Sequence, residues 1–236
     1  MWLQRPFKHP RVICVLGMHR SGTSFLTGSL QQAGVELHKF HSDNPHNRKG
    51  NRENQDIVDL NERVLADNGG SWDNPPEMVA WSEKHLNEAR EIVSQYEGYP
   101  IWGFKDPRTV ITFDGWHSIL PELESVGIFR HPVSVARSLQ TRDQSTSIDD
   151  GLALWGLYNK ALLAHYDRQR FPIICFDKDL DSLKIDLRAL SKQLKLPGER
   201  SFDFYETTLV HHLQTENAVL PEDISEIYQR LLACAL

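Results

Sequence analysis

The apolar run Val12 to Leu16 ends at Gly17, and Met18-His19-Arg20-Ser21-Gly22-Thr23-Ser24 follows it: a strand emptying into a glycine-bracketed turn that must open a helix at about Thr23. Such a turn gathers successive backbone N–H groups and the positive end of the helix dipole around one point. It is an anion cradle before any side chain is considered. What the loop lacks is equally informative. A triphosphatase loop reads G-x-x-x-x-G-K-[ST], with the lysine on the β- and γ-phosphates and the hydroxyl on magnesium. Here Gly22 is followed by Thr23 and Ser24, and the cation sits earlier, at Arg20. A cradle with its charge displaced in this way suits a nucleotide that carries fewer phosphates and needs no metal.

Further along, the same alternation repeats. Helical spacing of Ile57, Leu60, Val64 and Leu65 predicts a helix from Glu53 to the Asn68-Gly69-Gly70 stop. Pro75-Pro76 is expected to open a long amphipathic helix running to Gly98. Ile101 to Phe104, Glu124 to Phe129 and Pro172 to Phe176 read as short buried strands, and Pro132 starts a helix after the second of them. Leu152 to Leu163 and Leu183 to Leu194 mark two more helices. The polar stretch His38 to Arg52 reads as a surface loop. Short apolar strands alternating with helices predict a three-layer α/β/α sandwich around a mainly parallel sheet, wound by right-handed crossovers. In such a sheet a ligand lies beyond the carboxyl ends of the strands. Three predicted strand ends carry cations or cradles: Gly17 to Ser24, Lys105 to Arg108, and Arg130.

Composition bounds the function. At 236 residues with 40% apolar content, the chain is read as one domain with one sizeable core. A net charge of -6 argues against a general binder of nucleic acid or membrane surfaces, so an anionic ligand must be held by a local site. No stretch approaches a membrane span and no apolar run follows the first residues as in a signal peptide, so a cytoplasmic protein without integral membrane association is expected. Three cysteines, Cys14, Cys175 and Cys234, fit reduced core thiols better than a disulfide frame.

A second constellation lies in Val126 to Leu139, where Arg130 at a strand end is followed eight residues later by Ser138 in the second turn of a helix. That path can bring a guanidinium fork and a neutral hydroxyl donor onto one phosphate. The pair of motifs resembles those of the PAPS-dependent sulfotransferases of bacterial type, in which a P-loop-like turn holds the 5'-phosphosulfate and an R-x7-S segment the 3'-phosphate. Arg20-Ser21-Gly22-Thr23-Ser24-Phe25 is similar to the family's K-S-G-T-T-W turn, with arginine for lysine and phenylalanine for the tryptophan that stacks on adenine. Lys105-Asp106-Pro107-Arg108 resembles the K-D-P-R of many members, and Trp155, Tyr158 and Asn159, with Phe176 to Leu180, match weaker patterns. The likeness runs from about residue 11 to 215.

The resemblance implies PAPS as sulfuryl donor, no metal, and a hydroxyl or amine acceptor on a small molecule, carbohydrate or lipid. Arg20, Ser21, Gly22, Thr23, Ser24 and Phe25 would hold the 5' end of the nucleotide, and Arg130 with Ser138 the 3' end. Residues from about 35 to 100 would be a helical and loop insertion contributing the acceptor pocket. Arg20 and Lys105 would stabilise charge on the leaving oxygens, Arg20 electrostatically because an arginine does not readily give up a proton. Asn47 to Glu53 resembles a segment whose glutamate follows an N-x-x-G turn, which puts Glu53 first as general base, Asp106 second and Glu36 third.

Several other readings compete. A P-loop kinase is disfavoured by the missing lysine, whereas a nucleotide-binding module that has lost catalysis stands as an alternative. Cys14, Arg20 and Ser21 have the C-x5-R-S spacing of cysteine phosphatases, but Val15 and Leu16 continue the strand past the thiol. His38, His41 and His46, and likewise His211-His212, lack a ligand frame for a metal. Trp72 and Trp81 either line an acceptor pocket or pack in the core.

Overall fold

A computed structural model describes residues 10–39, 52–198, 202 and 219–236. Four strands form one parallel sheet in the order β2-β1-β3-β4, with β1 at Arg11–Leu16, β2 at Ile101–Lys105, β3 at Glu124–Phe129 and β4 at Ile173–Cys175. These strands are continuous apolar runs because helices cover both faces. Successive residues of β1 divide between the two sides. Val12, Cys14 and Leu16 join one core with Trp102, Phe104 and Phe129, whereas Ile13 and Val15 join the other with Val126, Ile128 and Ile174.

Helix α1 (Thr23–Gln32) and helix α7 (Leu180–Gln193) pack on the second face through Leu26, Leu30, Leu187 and Leu190. The first face carries α2 (Gln55–Asp67), α3 (Glu83–Ser94), α4 (Thr109–Ile119), α5 (Pro132–Arg142), α6 (Ile148–Gln169) and α8 (Glu222–Cys234). The chain therefore leaves β1 toward one face and leaves the neighbouring β3 toward the other. The crevice between those two strand ends is the topological switch point, where open α/β sheets place their ligands.

Most expected elements form within a few residues of their predicted ends. Asn54 caps α2 by accepting from Asp56 N–H, Asn68 and Gly69 end it, and Pro132 opens the first turn of α5. The helix expected from Pro75 is different. It begins only at Glu83, where Ser82 and His85 form a reciprocal capping box. Residues 71–82 instead form an irregular strap, because Trp72, Val79 and Trp81 turn toward the core and Asn68 clamps the strap through both backbone groups of Ala80. Those contacts need directions that one helix face does not supply. Helices α4 and α8 were not foreseen in the sequence. Much of the expected His38 to Arg52 loop, including the Asn47 to Gly50 turn, lies outside the described residues, as do His41, His46, His211 and His212.

Candidate functional site

The loop between β1 and α1 has two residues in the left-handed region, Arg20 at φ 65° and Gly22 at φ 87°. Alternation of right- and left-handed residues turns successive N–H groups inward, the backbone geometry of an anion nest. Glycine is required at position 22 for a second reason: a Cβ there would lie 2.5 Å from the Phe176 ring. No side chain caps α1 and its first turn holds no acidic residue, so the positive end of its dipole faces the loop. Ser21 is fully buried, and its Oγ has no hydrogen-bond partner among the described residues.

Across the switch crevice stands α5. Arg20 Nε donates to Ser138 Oγ at 2.8 Å, which joins the first motif to the second. Arg130, at the end of β3, lies 5.6 Å from the centroid of the Phe176 ring and donates from Nε to Asp177 Oδ1 at 3.3 Å. Asp177 also accepts from the backbone N–H of His131. The strand-ending Phe176-Asp177 pair thus backs Gly22 with a ring and orients Arg130 with a carboxylate. Trp155 Nε1 donates to the Arg130 carbonyl at 2.9 Å, anchoring the same turn from α6. Phe25 is only 5% exposed and packs against Phe176 at 5.4 Å, so the half-buried Phe176 is the more accessible ring.

On the other side of the loop, β2 ends at Lys105, which is 1% exposed. Its Nζ donates to Glu53 Oε1 at 2.6 Å and lies 3.4 Å from Ser24 Oγ. Glu53 therefore stands beside the loop between β1 and α1, just before α2. Asp106 is different in kind. It is fully buried and accepts from Asn61 Nδ2 and Arg108 NH1, both at 2.8 Å, while Arg108 reaches on to Glu62. Burial raises its carboxyl above the ordinary range, against the pull of Arg108. Asn61 also accepts from Thr112 and Trp116, so this network ties α2 to α4. Glu36 lies beside the start of β2, paired with Trp102, and its carboxylate accepts from the His38 N–H at 2.7 Å. Three strand steps separate Trp102 from Lys105, about 10 Å.

Besides Phe176 and Asp177, four residues at the site carried no binding or catalytic assignment to the loop in the sequence: His19, Trp72, Arg142 and Tyr158. The His19 ring lies 4.7 Å from Trp72 and 6.1 Å from Tyr158, and its Nε2 has no partner among the described residues. Desolvation, then Arg108, Lys105, Arg142 and Arg20, push its pKa well down, so the imidazole is uncharged. Tyr158 donates to the Trp72 carbonyl at 2.8 Å, and the Arg142 guanidinium lies 5.6 Å from the Trp72 ring. The strap therefore brings Trp72 to the loop. Trp81 turns the other way, against Gly115, Trp116 and His85. His19 is adjacent to the motif and carries no spacing of its own, while Trp72 and Arg142 reach the site only through tertiary packing.

The cations at the site outnumber the carboxylates paired with them. Partial desolvation, then Arg142 and Arg130, lower the pKa of Arg20 although much of the residue is exposed. Lys105, Arg108 and Arg130 each have a carboxylate within ion-pair distance, whereas Arg20 and Arg142 have none among the described residues. The loop amides, the unpartnered Ser21 hydroxyl and this cationic excess fit a polyanion. Cys14, by contrast, is fully buried in β1 and burial raises its thiol pKa well above the ordinary range, which removes it as a nucleophile. Among the described residues no cluster of acidic, histidine or cysteine side chains forms a metal site, and no helix is long and apolar enough to cross a membrane.

Neither protein-family models nor curated protein sequences match the chain. Among solved structures it is similar to the sulfotransferase domain from the Synechococcus PCC 7002 olefin synthase, with a TM-score of 0.56 and 15% identity over 98% of both chains. At that identity the likeness is one of fold. The four-stranded parallel sheet flanked by helices is a P-loop-like sulfotransferase fold.

Proposed function

We propose that the protein is a PAPS-dependent sulfotransferase that moves a sulfuryl group to a hydroxyl or amine of a small-molecule, carbohydrate or lipid acceptor in the cytoplasm, without a metal. The observation that carries this reading is the 2.8 Å contact from Arg20 to Ser138, because two motifs far apart in sequence meet over one crevice. The fold likeness supports it independently.

When bound, the donor supplies an activated sulfuryl group: its bond to the 5'-phosphate oxygen breaks as the acceptor oxygen or nitrogen bonds to sulfur, and the bisphosphate leaves with the electron pair. The Ser21 hydroxyl, the amides of Gly22 to Ser24 and the hydroxyls of Thr23 and Ser24 hold the 5' end. Arg130, oriented by Asp177, and Ser138 hold the 3'-phosphate. Phe25 and Phe176 form the apolar wall beside them. Arg20 and Lys105 meet the charge that develops on the leaving oxygens, and fixed cations at such a point are the usual largest contribution to catalysis of this type. Glu53 takes the proton of the acceptor, with Lys105 fixing its carboxylate. Residues of the insertion from about 35 to 100, Trp72 among them, line the acceptor pocket within a single domain.

The test is labelled transfer from PAPS to an acceptor panel, run beside thermal shifts with adenosine 3',5'-bisphosphate and with ATP and magnesium. The bisphosphate stabilises the protein by about 2.7 kcal/mol at 100 times its dissociation constant. Stabilisation by ATP with magnesium alone would instead mark a kinase. Bisphosphate binding with no transfer to any acceptor would mark a binding module.

A further inference from the structure

Arg142 is a guanidinium at the site that neither nucleotide motif uses. It ends α5, one turn beyond Ser138, and lies 5.6 Å from the Trp72 ring on the strap. Trp72 in turn lies 4.7 Å from His19, at the loop. Phe25, Phe176 and Arg130 instead pack with one another beside Gly22. Arg142 therefore meets the strap, the part of the chain that the sulfotransferase reading gives to the acceptor.

No carboxylate lies within ion-pair distance of Arg142 among the described residues; Asp143 feels its charge, but it and Asp73 next to Trp72 are hydrogen-bonded to neighbouring serines. Asp143 accepts from the backbone and the hydroxyl of Ser145, and Asp73 accepts from Ser71. His19, in the loop on the other side of Trp72, is uncharged and offers a ring nitrogen with no partner among the described residues. An arginine held over an aromatic face keeps its N–H fork free for planar recognition of a carboxylate or a phosphate.

Resting on the sulfotransferase reading, we propose that the acceptor is itself an acid: a hydroxyl- or amine-bearing molecule whose carboxylate, phosphate or sulfate is held by Arg142 against Trp72. Arg142 is then a specificity-determining residue of the acceptor side and has no part in donor binding. The acceptor's negative charge would be met by a cation already in place, and a neutral analogue would leave that cation unpaired.

The experiment is calorimetric titration of the protein saturated with adenosine 3',5'-bisphosphate, using matched pairs: glycerol 3-phosphate against glycerol, glucose 6-phosphate against glucose, and 4-hydroxybenzoate against 4-hydroxybenzamide. At least one acidic member is expected to bind roughly tenfold or more tightly than its neutral partner, the scale of one charge-assisted fork. In Arg142→Gln that preference disappears while bisphosphate affinity stays within about twofold, and Arg142→Lys restores part of it. Equal binding of acidic and neutral members in every pair, or an acid preference that survives Arg142→Gln, overturns the proposal. So does a loss of bisphosphate affinity in Arg142→Gln as large as the loss for the acid, because Arg142 would then belong to the donor. Failure of the wild-type protein to bind the bisphosphate at all would instead remove the reading beneath, and the same pairs titrated into the unliganded protein would still judge Arg142.

Discussion

His19 concentrates much of the electrostatic character of this site in one side chain. Its imidazole is uncharged because desolvation and four surrounding cations oppose the proton. An unfolded chain takes up that proton below pH about 6.5, whereas the folded protein does not, so the unfolded state binds more protons and stability falls as pH falls. The slope for one such group is at most about 1.4 kcal/mol per pH unit. His131 and His165, also lowered chiefly by burial, add in the same direction. Urea denaturation between pH 7 and pH 5 should show the decline, and His19→Gln should make it shallower; an unchanged slope would mean that the ring is not desolvated. At the same scale, Glu53→Gln should lower kcat by about 10²–10⁴-fold, the usual worth of a general base, with bisphosphate affinity kept. A variant that turns over like wild type would remove Glu53 from that role. Of these residues the sequence displayed Glu53, Lys105 and the Arg20 loop, since motifs have spacing. It did not display Trp72 or Arg142 as neighbours, because contacts across the fold leave no period in the chain.

Elements were legible where their ends carry chemistry. Asn54, Pro132 and the Asn68-Gly69 stop each mark a boundary by satisfying or removing a terminal backbone group. The double proline misled, because proline permits a helix start without supplying the cap that Ser82 supplies seven residues on. Ser82→Ala is therefore expected to destabilise the protein by about 1 kcal/mol, measured by chemical denaturation, whereas Pro75→Ala should leave α3 unchanged. Helix α4 escaped notice for another reason. Buried Val110, Phe113 and Trp116, with partly buried Ile111 and Ile119, give it no polar stripe to set a period. The loop between β1 and α1 makes a sharper case. Gly22→Ala must place a methyl group 2.5 Å from the Phe176 ring on a left-handed backbone, so the variant should lose bisphosphate binding more completely than Ser138→Ala does.

Over the whole molecule, function follows from where the winding of the sheet reverses. Strand β1 sends its helix to one face and β3 to the other, and the crevice opened between them is where Arg20 meets Ser138. On either side, the ends of β2 and β4 bring Lys105 with Glu53 and Phe176 with Asp177. This layout was foreseeable from alternating strands and helices, because the crossover rule leaves few topologies open. The order of the strands was not, since it depends on which apolar faces pack best. The central claim is that one nucleotide spans the crevice, and it is tested most directly by comparing adenosine 3',5'-bisphosphate with AMP, which lacks the 3'-phosphate, by calorimetry. Wild-type protein should prefer the bisphosphate by roughly tenfold to a hundredfold, the worth of hydrogen bonds from a charged group, and Arg130→Ala should bind the two alike. Equal affinity for both in the wild-type protein, or a preference that persists without Arg130, would contradict the claim.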